Sequence, residues 1–242
     1  MELNDMTQPA GTTAAVRPAG LQARTLLLYV TTFSTFLLAA FCFSWYARTD
    51  KIPLLLLGWV TFGTAFDFLS HVLGRHFGQY RHFLLWYARI NFSALCYGIP
   101  FTAMAGVFVI AEIAPTGISA QIVPYYRELL LVSLLFSTLF LFARYRYLEI
   151  AGAVELTLDK EHPYTHKIFV ARRIFLALSL LLGILVMGDG FGTQWAVWAA
   201  LFGLSYIATV PLHIMHKHLA SMLSEAFTLV VLAYGSWLIF VA

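Results

Sequence analysis

The chain has 242 residues, of which 60% are hydrophobic and only 11% charged, with a formal net charge of +3. A soluble domain carries about 25% charged residues. An ordinary globular core, a separate soluble output domain and a basic surface for nucleic acid are therefore excluded. The composition is that of an all-α integral membrane protein.

Residues 1–24 are polar, with Glu2 and Asp5 near the start, and read as a disordered cytoplasmic tail rather than as the basic n-region of a signal peptide. Seven apolar segments follow, at about 25–46, 52–73, 84–111, 128–148, 169–188, 194–215 and 219–241. Each has roughly the 20 residues that a helix needs to cross a bilayer core about 30 Å thick. They are expected to form one heptahelical domain over 25–242, the sixth and seventh as a tight hairpin around Lys217. Pro100 and Pro211 are expected to interrupt the third and sixth segments. Gly188-Asp189-Gly190-Phe191-Gly192 reads as a flexible outer turn.

Charge sets the orientation. With the N-terminus inside, the inner face receives Arg17, Arg24, Arg75, Arg81, Arg144, Arg146, Lys160, Lys167, Arg172, Arg173 and Lys217. The outer face receives only Arg48, Lys51 and Arg127. The positive-inside bias then predicts an inner-membrane protein with a cytoplasmic N-terminus and an external C-terminus. The pairs Trp45/Tyr46, Trp86/Tyr87, Tyr125/Tyr126, Tyr145/Tyr147 and Trp195/Trp198 fall where an aromatic belt is expected.

That topology puts all eight histidines at the cytoplasmic side, in three groups: His71, His76 and His82; His162 and His166; His213, His216 and His218. Imidazole suits a transition metal, so His71, His213, His216 and His218 are candidate ligands for zinc or iron. The plainer reading is interfacial, since a cation near a helix C-terminus favours the helix dipole.

Ionisable groups inside spans are costly and are functional-site hypotheses by default. Asp67, His71, Arg89, Asn91, Ser221 and Glu225 all fall in the inner half and form a candidate polar pocket. Asp67 and His71 share a face at i, i+4, and Ser221 stands one turn before Glu225. Asp67 with Arg89 is the natural ion pair across the second and third segments, and Glu225 is a competing partner for Arg89.

There is no HExxH, no Gly-x-Ser-x-Gly, no phosphate-binding glycine loop and no haem attachment sequence. The seventh segment contains no lysine for a retinal Schiff base. No catalytic residue is assigned. Three readings are left. The first is a non-catalytic membrane component, such as a sensor, a scaffold or a subunit of a larger complex, with lipid and other membrane subunits as partners. The second is a metal-dependent enzyme acting on a lipid or isoprenoid at the inner leaflet. The third is a small solute- or proton-coupled carrier.

Overall fold

In a bilayer no water is present to satisfy backbone N–H and C=O groups, so an apolar segment folds as a helix, which pairs them within itself. The computed structural model describes residues 19–77, 87, 98, 100–151, 177–178, 180–214 and 218–242, and among these every regular element is helical. The helices are α1 (Ala19–Thr49), α2 (Ile52–Phe77), α3 (Pro100–Ile113), α4 (Ile118–Ile122), α5 (Tyr126–Ala151), α6 (Leu180–Gly190), α7 (Ala196–Ile214) and α8 (His218–Phe240). A 3-10 turn, Val123–Tyr125, joins α4 to α5. Among the described residues four stretches are long and apolar enough to cross a membrane: Thr25–Thr49, Ile52–Leu69, Ile118–Leu139 and Leu219–Phe240. The apolar helices of α3, α6 and α7 are shorter, and Pro211 lies inside α7.

Among the described helices, α8 has three long neighbours. It lies against α1, α2 and α7, while α1 packs along α2. The spacing of buried residues explains how one helix serves two sets of neighbours. Met222, Glu225, Leu229, Leu232 and Ser236 recur at i+3 and i+4 along one stripe. Ser221, Ser224, Thr228, Val231 and Gly235 form the adjoining stripe. The first stripe meets α1 and α2: Leu28, Phe68, Val72 and Met222 bury one another in a single cluster. Further along, Cys42, Leu57, Leu229 and Leu232 belong to the main core with Phe202 and Met104. The second stripe meets α7 through hydroxyls. Ser221 Oγ donates to the Thr209 carbonyl (3.3 Å), Ser224 Oγ to the Ser205 carbonyl (2.9 Å) and Thr228 Oγ1 to Ser205 Oγ (2.8 Å). Small hydroxyl residues let backbones approach closely and bond across the interface, which is how helices associate where lipid is as apolar as leucine.

Two sequence expectations change here. Trp198 and Tyr87 are not belt residues. Trp198 is buried, and its indole Nε1 donates to the Val231 carbonyl on α8 at 2.8 Å. Tyr87 is buried, and its hydroxyl donates to the Phe66 carbonyl on α2. In both cases a neighbouring helix offers a carbonyl to the polar end of the ring, which satisfies it away from the interface.

The stretch Gly188–Gly192, expected to be an outer turn, ends α6 and enters a turn with Gly188, Phe191 and Gly192 exposed, while Asp189 and Gly190 pack inward. Asp189 accepts hydrogen bonds from the backbone N–H groups of Ile118 (3.2 Å) and Ser119 (2.6 Å), so it caps α4 from some seventy residues away. A Cβ on Gly190 would fall 2.2 Å from the Ala199 methyl, so only glycine fits where α6 turns onto α7. Replacing Asp189 by alanine leaves both N–H groups without their acceptor. We expect a loss of about 1–2 kcal/mol, read as a lowered unfolding midpoint in detergent with an unchanged helical signal. An unchanged midpoint would remove the cap from the account of this corner.

Candidate functional site

The site forms where α1, α2 and α8 meet, one helical turn from the Leu28–Phe68–Val72–Met222 cluster. On α2, Thr64 precedes Phe68 by four residues. On α8, Glu225 follows Met222 by three. The two meet directly: Thr64 Oγ1 donates to Glu225 Oε1 at 2.9 Å. Thr64 is 1% exposed. On α1, Thr32 follows Leu28 by four residues and is also buried. Asp67 stands three residues after Thr64 and within electrostatic reach of both Glu225 and Tyr87. Glu225 thus lies inside the bundle, where a carboxylate left without partners costs several kcal/mol.

The surroundings split sharply in polarity. On the side of Met222 the neighbours are leucine, phenylalanine and valine. On the other side a second hydroxyl level follows, with Thr35 on α1 and Thr61 on α2, both buried. Beyond it the seam is closed by Ala39, Leu57 and Leu232, each almost wholly buried. Thr31, Thr32 and Thr35 turn their hydroxyls back onto the carbonyls of Leu27, Leu28 and Thr31, at 2.8, 2.8 and 2.7 Å. Each such hydroxyl spends its proton on its own helix and keeps lone pairs to offer. Among the described residues the donors at this level are oxygens, from carboxylates and hydroxyls.

Tyr87 closes the Asp67 side. Its ring stacks on Phe66 with centroids 5.9 Å apart and planes 13° apart, and its hydroxyl is held by the Phe66 carbonyl. Phe66 in turn meets Phe36 and Phe62, which fixes α2 against α1 around the site.

Of the expected pocket residues, Asp67 on α2 and Glu225 on α8 lie within electrostatic reach of each other. Ser221 is buried, but its hydroxyl is taken by α7 through Thr209, because one turn of α8 places it on the stripe that faces α7. His71 stands on α2 one turn from Asp67, His213 ends α7 and His218 opens α8. The side chains of these three histidines, together with Arg89, Asn91 and His216, lie outside the described residues, as do His82, His162 and His166. Among the described residues no three His, Cys, Asp or Glu side chains gather as a metal site requires. Sequence reasoning misses Thr64, Thr61 and Tyr87. The usable signal is the hydroxyl residue three positions ahead of an intramembrane aspartate, on a stripe otherwise made of leucine and phenylalanine.

Comparison of the chain with known protein families, with curated proteins and with solved structures finds no match, so the reading of the site rests on its own residues.

Proposed function

We propose that this chain is a seven-span inner-membrane protein, with its N-terminus cytoplasmic and its C-terminus outside, that binds a small cation at Glu225, with Asp67 within electrostatic reach, and carries it across the bilayer. The observation that supports this reading is the Thr64–Glu225 hydrogen bond, which seats a carboxylate inside the bundle. Structural adhesion between helices is available more cheaply from hydroxyls, as the α7–α8 seam illustrates. A carboxylate in an apolar interior is costly, and such groups line ion and proton paths within spans. The positive-inside distribution of Lys and Arg favours the cytoplasmic half for the site. The leucine closure at Leu57 and Leu232 then separates it from the outer side.

The reading as a non-catalytic component draws on α5, since the stretch Ile118–Leu139 is only 6% buried against 61% for Ile52–Leu69. One experiment divides the two. Purified protein is reconstituted into vesicles loaded with a proton- or sodium-sensitive dye, and a gradient of either ion is imposed. The carrier moves the ion faster than protein-free vesicles do, and Asp67→Asn returns the rate to background. Wild-type protein at the background rate, or an unaffected Asp67→Asn, sinks the carrier and leaves the component.

A further inference from the structure

Thr61 does something the other threonines around it do not. It lies one turn from Thr64 on the same stripe of α2, is 0% exposed, and its Oγ1 has no hydrogen-bond partner among the described residues. Thr31, Thr32 and Thr35 all reach a carbonyl of their own helix, and Thr64 reaches Glu225. A buried hydroxyl bond left unmade costs about 1–3 kcal/mol, and a helical threonine has an easy remedy in its i−4 carbonyl. A hydroxyl that forgoes this remedy one turn from the threonine that holds a buried carboxylate marks a place where a small polar species completes the shell.

We propose that this species is a sodium ion, held between Glu225, Thr64 and Thr61 with the buried hydroxyl oxygens of Thr32 and Thr35 on the α1 side. The proposal rests on the cation-carrier reading and names its ion. Its chemistry follows from the donor set. Among the described residues the donors are carboxylate and hydroxyl oxygens, which suit a hard cation. One carboxylate among neutral hydroxyls balances a single positive charge, while Asp67 sits a turn away beside Tyr87. Apolar layers flank the level, at Phe68 and Met222 on one side and at Leu57 and Leu232 on the other.

The test compares wild type, Thr61→Val and Glu225→Gln in detergent, in sodium, potassium and choline chloride at equal ionic strength, with radioactive sodium binding measured in parallel. Wild type is expected to unfold at a higher temperature in sodium than in the other two salts and to bind sodium saturably. Thr61→Val is expected to bind sodium at least about tenfold more weakly, the factor that one lost ligand hydrogen-bonding group gives. In choline it should be as stable as wild type or more so, because valine removes an unsatisfied hydroxyl. This second readout guards against mere misfolding. Equal unfolding midpoints in all three salts for wild type, or undiminished sodium binding by Thr61→Val, overturns the proposal. If sodium binding fails while vesicles still move protons in a manner that needs Asp67, the carrier reading stands and the ion is the proton. If sodium binds and no ion crosses, the site stands and the carrier reading fails.

Discussion

Exchanging Glu225 for glutamine is expected to bring ion movement down to the rate of protein-free vesicles while leaving the fold in place. Glutamine keeps the length and planarity of the side chain, and its carbonyl oxygen still accepts from the Thr64 hydroxyl, the 2.9 Å bond that joins α2 to α8. What it removes is the negative charge. A cation held at the α1–α2–α8 junction would then lose the carboxylate that Thr64 seats there. A loss of about two orders of magnitude in ion affinity follows if removing the charge costs about 2.7 kcal/mol, comparable to the cost of a buried charge losing its partner. The measurement is dye-reported flux in vesicles, with the unfolding midpoint as control. Thr64→Val makes the useful comparison. It deletes the bond and keeps the charge, so flux should fall by about tenfold or less while the unfolding midpoint drops further than in Glu225→Gln. If the two variants behave alike, or if Glu225→Gln transports at the wild-type rate, Glu225 is interhelical adhesion and not an ion site.

In the amino-acid sequence the depth of these residues is legible and their angle around the helix is not. Apolar length marks where a helix begins and ends to within a few residues, as α2 and α8 illustrate: apolar runs at 52–73 and 219–241 become helices at Ile52–Phe77 and His218–Phe240. Asp67 and Glu225 stand out because any carboxylate in such a run does. Their mutual approach is not readable, because these helices are apolar all round and hydropathy says nothing about which side meets which neighbour. Ser221 is the clearest case. It is one turn from Glu225 in sequence, yet Glu225 faces α2 and Ser221 faces α7, a division set by how α8 is rotated between its neighbours. The Asp189 cap on α4 depends on contact across some seventy residues and leaves no local trace beyond an acid among glycines. Trp198 misleads for the same reason. A tryptophan near a span end is usually an interfacial anchor, and only the facing Val231 carbonyl makes it a core residue.

That tryptophan carries the largest stability effect expected of any single side chain here. Its indole stacks on Phe202 with centroids 5.8 Å apart and planes 7° apart, and Phe202 stacks in turn on Tyr206 at 5.7 Å and 8°. Trp195 meets it edge-on at 6.1 Å. The ring spans from α7 to α8, and a Cβ on Gly235 would lie 2.5 Å from its Nε1, so the glycine at that level admits the indole. Trp198→Ala leaves a cavity that neither water nor lipid is placed to fill, and the expected cost is about 3–5 kcal/mol. Trp198→Phe keeps most of the packing and loses only the hydrogen bond. The Val231 carbonyl stays inside α8, with its helical partner position unchanged, so the cost should be about 1 kcal/mol. Gly235→Ala attacks the same contact from the other side and should destabilise the wild type by about 1–3 kcal/mol through overpacking. In the Trp198→Ala background that penalty should vanish, because the methyl enters the space the indole vacated. Unfolding of the four proteins of this cycle in a denaturing detergent series measures the coupling. Additive losses would show that Trp198 and Gly235 act independently, and would remove the interlocked ring and glycine as the reason α7 and α8 hold their register.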